Sequence, residues 1–335
     1  MKLARLLFLC LLVFTLNTAE AQDIHFTQFD MSPISLNPAL SGAFKGTVRI
    51  GGIYRDQWAS VIDNPYRTPS FYIDVPAFRG IGKKDWIGIG ASLINDQSGS
   101  ANLSNLIIGG NLAYHWALDD KRKNVLTIAG GYSQVQRRFD QQNLVFGNQI
   151  NSGTIDTNLP TGEGTLDDNK SYGDYQAGLA FRSKPKAGLE YTIGFSSFNI
   201  AETEEGFVGN GTRARRYVGH ATADIDLKGD WKFRPQVLYQ TQAGTEELIA
   251  NLLFGYELNE NTVLNFGPGY RLDDAAMILL GIDYKNLRAG VSYDFNVSDL
   301  SAASNSQGGF EIGVGYIIRI PKVPTIPPVI FSPRF

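Results

Sequence analysis

The chain has 335 residues, 30 basic and 33 acidic side chains, and a formal charge of −3. Near-neutrality gives no reason to expect nucleic acid as a partner, and the single cysteine, Cys10, excludes a disulfide framework. Abundant Gly, Tyr and Phe with only 3 Met suit β structure, and no internal apolar run is long enough to cross a bilayer as a helix.

Lys2 and Arg5, an apolar run over residues 6–16 and the small-residue site Ala19-Glu20-Ala21 predict a secretory signal peptide over residues 1–21, cleaved before Gln22. Cys10 leaves with it, so thiolate catalysis and cysteine metal sites are excluded from the mature chain. Residues 22–45 are aromatic and punctuated by proline, and lie outside any alternating pattern. They are expected as a periplasmic N-terminal segment or plug.

Residues 46–320 contain fourteen segments in which apolar and polar residues alternate with period two, each bounded by turn formers. In the first, Val48, Ile50, Gly52 and Tyr54 oppose Thr47, Arg49, Gly51 and Arg55. In the last, Phe310, Ile312, Val314, Tyr316 and Ile318 oppose Glu311, Gly313, Gly315 and Arg319.

A soluble sandwich alternates too, so the connections decide. Links after odd-numbered segments are long, most clearly 59–68, 96–102, 137–170, 199–213 and 296–307. Those after even-numbered segments are short, with 76–84 and 117–123 the longest. Long and short links around an even number of strands predict an antiparallel outer-membrane β-barrel with both termini periplasmic.

Aromatic placement is an independent indication. On the apolar phase, tyrosines such as Tyr54, Tyr132, Tyr175 and Tyr217 fall at the long-link ends, while Trp116, Trp231, Tyr256, Tyr284 and Tyr316 fall at the short-link ends. Two such belts suit a bilayer, because amphipathic rings settle at the headgroup level. Glycines on the inward phase, among them Gly88, Gly90, Gly178 and Gly313, leave two readings open: close packing in a narrow barrel, or a lumen occupied by another segment.

Catalytic patterns are missing. No G-x-S-x-G elbow or S-x-x-K motif is present, and His115 and His220 read as lumen-lining polar residues rather than a metal or acid-base pair. Asp294 and Glu311 on inward phases, with Arg271 and Arg288 nearby, read as a mixed-charge lumen network. Arg213, Arg215 and Arg216 form a small basic cluster, either solvated or facing anionic lipid or a partner.

The stretches QDIHFTQF at 22–29, SPISLNPALSG at 32–42 and YRDQW at 54–58 resemble the PorP/SprF family of the type IX secretion system of gliding and protein-secreting Bacteroidetes. Weaker matches are GLEYTIGFSSFNI at 188–200 and GGFEIGVGY at 308–316. The resemblance implies a non-enzymatic outer-membrane barrel without cofactor or metal, serving secretion or gliding. Its implied partners, besides membrane lipid, are periplasmic scaffold and ring proteins, and a secreted adhesin or effector with a sorting C-terminal domain.

Candidate partner-binding residues are His25, Phe26, Phe29, Asn37 and Pro38 before the barrel, Tyr54, Arg55 and Trp58 in the first strand, and Arg213, Arg215 and Arg216. The loops 137–170 and 199–213 are the candidate outer contacts. Residues 321–335 hold five prolines and are expected as an extended periplasmic tail. The alternative function is a porin-like diffusion channel for small solutes.

Overall fold

The computed structural model describes residues 25–141, 144–151, 154–162, 168–207, 211–299 and 301–321. The proposed leader and all but the first residue of the Pro-rich tail lie outside the described residues.

Fourteen strands close into one antiparallel barrel. They are β1 (Val48–Gln57), β2 (Tyr66–Ile81), β3 (Asp85–Ser98), β4 (Leu103–Ala117), β5 (Asn124–Arg138), β6 (Asn169–Lys186) and β7 (Leu189–Phe198). Then follow β8 (Arg216–Asp226), β9 (Trp231–Gln242), β10 (Thr245–Asn259), β11 (Thr262–Arg271), β12 (Ala275–Tyr284), β13 (Leu287–Asn296) and β14 (Gln307–Ile318). Each strand pairs with its sequence neighbours, and β1 pairs with β14 from Val48↔Ile318 to Gln57↔Gly309, so no edge is left open.

The alternation reads out as geometry. Outward residues such as Ile108, Leu112, Trp116, Phe310, Ile312 and Val314 are exposed, while their inward neighbours Asn111, His115 and Glu311 are buried. An outer wall of exposed large apolar side chains is stable only against hydrocarbon or a partner. The aromatic belts also form: Tyr132 sits opposite Tyr175 with ring centroids 5.5 Å apart at one end, and Trp231 opposite Tyr256 at 5.0 Å at the other. Among the described residues, no helix is long and apolar enough to span a membrane.

Two expectations about connections change. β2 continues to Ile81, with a register shift between Ala77 and Ile81 and Phe78 at φ 41°, so the link to β3 has only three residues. Two odd-numbered links are tight rather than long: Ala243-Gly244, both at positive φ, joins β9 to β10, and residues 272–274 join β11 to β12. The link after β3 is short as well, four residues against the six between β4 and β5, and the long links, after β1, β5, β7 and β13, cluster on one side of the barrel.

Candidate functional site: the lumen plug and its latches

Residues 25–43 run through the barrel interior, not below it. Local chemistry folds them into short turns. Pro33 and Pro38 each start a helical turn, Pro33–Leu36 and Pro38–Leu40, where a missing N–H costs nothing. The Asn37 side chain caps the second turn by accepting from Ala39 N at 2.9 Å. Phe29 and Leu36 bury against Val218, Leu238, Ile249 and Met277 of the wall, and Phe26 and Met31 pack on Ile53. The plug thus buries its apolar side chains against an apolar patch of the lumen wall.

Thr27 and Gln28 form the first latch. Their backbone N–H groups donate to the two oxygens of Glu311 at 2.7 and 2.9 Å, and Thr27 Oγ1 donates to Asp294 at 2.8 Å. Arg55 lies directly opposite Glu311 in the β1–β14 register and hydrogen-bonds it, while reaching Asp294 at 2.9 Å. Arg271 reaches Asp294 at 3.0 Å and Thr27 Oγ1 at 2.9 Å, and Asn251 donates to the Thr27 carbonyl at 2.9 Å. Arg55 and Arg271 thus face Asp294 and Glu311 around the uncharged Thr27 and Gln28, with Arg271 also bonded to Asp274 at 2.8 Å, satisfying charges that would be prohibitive unpaired. His25 adds a contact to Glu247 at 3.2 Å, close to the β9–β10 turn at the long-link end.

Asn37 forms the second latch. Its Nδ2 lies 3.0 Å from the Leu179 carbonyl, 3.3 Å from that of Phe195 and 3.1 Å from Nε2 of His220, touching β6, β7 and β8 at once. A Cβ on Gly178 would collide with the Asn37 side-chain oxygen.

The third latch lies at the short-turn end. His115 donates to the Ser41 carbonyl at 2.8 Å, accepts from Thr127 at 2.9 Å, and stacks on Trp86 with centroids 4.5 Å apart. Trp86 Nε1 donates to the Gly42 carbonyl at 3.0 Å, and Gly42 N donates to Asp74 at 2.7 Å. Arg49 holds the same Asp74 through two bonds of 2.8 and 2.9 Å. Of the two readings left open for the inward glycines, these contacts favour the occupied lumen: added Cβ atoms at Gly88 and Gly90 would strike Ser41.

The candidate residues divide sharply. Phe26, Phe29, Asn37, Pro38 and Arg55 are buried inside the barrel, and their contacts are with the chain itself. Tyr54 faces outward in the aromatic belt and donates to Asp56 at 3.2 Å; Trp58, at φ 63°, packs edge-on against Tyr66.

The three arginines do not form one basic patch. Arg213 bonds Tyr172 and Glu205, each at 2.9 Å, Arg215 pairs with Glu202 at 3.4 Å, and Arg216 lies over the Phe198 ring at 4.3 Å. Glu205 also pairs with Arg137 at 2.9 Å, and Phe139 meets Phe207 at 4.7 Å, so the two longest loops pack on each other.

His115 and His220, on separate strands, each serve the plug, and no group of three or more potential metal ligands exists among the described residues. Trp86, Asp74 and Asn251 also hold the plug, and their inward phase is the one sign of it in the sequence.

Two solved structures share the fold. The chain is similar to the toluene transporter TodX of Pseudomonas putida, with a TM-score of 0.51, 11% identity, and coverage of 85% of this chain and 92% of that one. It is also similar to the CymD monoaromatic hydrocarbon channel, with a TM-score of 0.50, 10% identity, and coverage of 87% and 93%. At such identities the likeness concerns the fold alone. No curated protein matches the sequence significantly. The family described as "Type IX secretion system membrane protein PorP/SprF" matches residues 18–316, nearly the whole barrel and its plug. The chain therefore belongs to the PorP/SprF family and is an outer-membrane β-barrel of the type IX secretion system.

Proposed function

We propose that this protein acts by binding rather than by conduction or catalysis, as a plugged barrel between periplasmic scaffold proteins of the secretion or gliding machine and a secreted or surface-anchored partner. The observation that carries this reading is the plug: residues 25–43 are hydrogen-bonded to strands on opposite sides of the lumen. A diffusion channel would have to displace a segment held by three buried carboxylates, Asp74, Asp294 and Glu311. In this reading the short-turn end faces the periplasm and the long loops face outward, the orientation usual for such barrels.

Because Phe139 of loop 139–168 packs on Phe207 of loop 199–215, whose Glu205 also pairs with Arg137 at the end of β5, the two loops offer one composite outer surface, and recognition by loops on a rigid barrel is the mechanism. The test has two arms. In planar bilayers the protein is expected to show no steady conductance, and persistent partner-independent current would support the channel instead. In cells, deleting residues 141–166 is expected to abolish surface display of the exported partner; unchanged display removes that loop from the partner interface.

A further inference from the structure

The short-turn mouth of the lumen holds a cavity of about 310 Å³ whose lining is strongly basic. The β4–β5 turn contributes Lys121, Arg122 and Lys123, and the end of β6 contributes Arg182 and Lys184. Lys45 joins them from the stretch leading into β1, and Arg79 from the end of β2. Glu190 is the one carboxylate in this lining, and it reaches Arg182 and Lys184 only at 3.6 and 3.7 Å. Among the described residues Lys45, Lys121 and Lys123 enter no ion pair. All this occurs in a chain whose formal charge is −3.

The opposite half of the same rim is arranged differently. There Asp224 pairs with Arg234, Asp226 and Glu257 with Lys232, and Asp283 with Arg288. Arg234, Lys232 and Arg288 are neutralised in place there and isolated lysines such as Lys228 and Lys285 remain, so the concentration of cations on the β2–β7 side is local.

Three features narrow what this charge is for. The pocket is walled by inward-phase residues, Trp86, Arg182 and Glu190 among them, so a bilayer lipid against the outer wall does not reach it. A volume of about 310 Å³ is roughly that of ten liquid waters, too small for a folded element but enough for a few extended residues. Seven cations from four stretches of chain exceed what one phosphate of about two charges can satisfy. Phe44, Pro76 and Trp86 add an apolar side to the same cavity.

We propose that this vestibule docks an extended acidic peptide, a terminus or loop carrying several Asp or Glu side chains, presented by a protein on the periplasmic side. The proposal rests on the orientation and binding role given under the functional reading above. The basic turn is preorganised for it. The Asp119 carboxylate accepts from the N–H groups of Lys121, Lys123 and Asn124 at 2.7–3.0 Å, and Lys184 N donates to the Lys123 carbonyl at 2.8 Å. Little ordering is left to be done on binding.

The test uses the full-length protein in an uncharged detergent and fluorescence anisotropy of labelled hexaglutamate, with hexaglutamine and inorganic phosphate as comparison probes. Saturable hexaglutamate binding is expected. It should weaken at least about tenfold in Lys121→Gln/Lys123→Gln/Lys184→Gln, and similarly as salt rises from about 50 to about 300 mM. Lys228→Gln/Lys285→Gln on the opposite rim should leave it unchanged. Equal binding by wild type and the triple variant, binding of hexaglutamine, or displacement by phosphate at matched concentration overturns the proposal. If hexaglutamate fails to bind while periplasmic scaffold proteins still cross-link to this end in cells, the functional reading stands and the acidic-peptide inference falls.

Discussion

Thr27 and Glu311 are 284 residues apart in the chain, yet the Thr27 N–H donates to Glu311 Oε1 at 2.7 Å inside the barrel, toward its long-link end. The same carboxylate takes the Gln28 N–H and the Arg55 guanidinium. Removing one partner of such a buried pair leaves the other uncompensated, at a cost of about 3–5 kcal/mol. Glu311→Gln and Arg55→Met are each expected to lower stability by that order. The double variant should cost less than the sum, with a coupling of about 0.5–3 kcal/mol. Denaturant unfolding of the four proteins measures the cycle, and additive losses would mean the two residues do not share a latch.

Close packing of plug on wall gives a steric prediction. Gly178→Ala places a methyl group against Asn37, and Gly88→Ala places one against Ser41, whereas an added Cβ at Gly219 meets nothing within 4 Å. The first two are expected to lose about 1–3 kcal/mol as overpacked sites, with Gly219→Ala close to neutral. Thermal unfolding distinguishes them, and protease cleavage within residues 25–43 should rise only in the first two.

The plug path predicts a cross-link. The hydroxyl oxygens of Ser32 and Ser70 lie 3.4 Å apart, both residues are buried, and the chain's one cysteine is Cys10. Ser32→Cys/Ser70→Cys is expected to form a disulfide during export, visible as a mobility change on reduction. Absence of the bond under oxidising conditions would place the plug elsewhere.

Asp119 gives the basic turn a defined pH response. Backbone hydrogen bonds from Lys123, Asn124 and Lys121 hold its carboxyl below the ordinary value of 3.8. A depressed value means the charged form is favoured in the folded state. Its contribution is therefore complete above about pH 4 and is lost as pH falls through the lower folded-state value. Hydrogen exchange of residues 118–124 should accelerate below that point in the wild type. In Asp119→Asn, exchange should already be faster at neutral pH and show no such step.

Strand faces were legible because period-two alternation survives membrane burial: Ile50, Trp116 and Tyr316 point outward and Arg55, His115 and Glu311 inward, as their phases indicate. Inward charges were legible as a network for the same reason. Their convergence on Thr27 was not, because the plug has no periodicity and its partners are spread over strands that only ring closure brings together. The glycines on inward phases carried half of this information: they marked missing volume without saying what fills it. Arg213, Arg215 and Arg216 are adjacent in sequence yet turn to different neighbours, since successive residues at a strand entrance point in different directions.

Arg55 and Glu311 also face each other across the junction of the first strand with the last. Thr27 of the plug is bonded by both of them. The final hydrogen-bonded seam and the seating of residues 25–43 consequently draw on the same side chains. Assembly of this barrel is thus a check on its own contents: a ring that closes empty leaves Arg55, Arg271, Asp294 and Glu311 without the Thr27 and Gln28 groups that complete their hydrogen bonding.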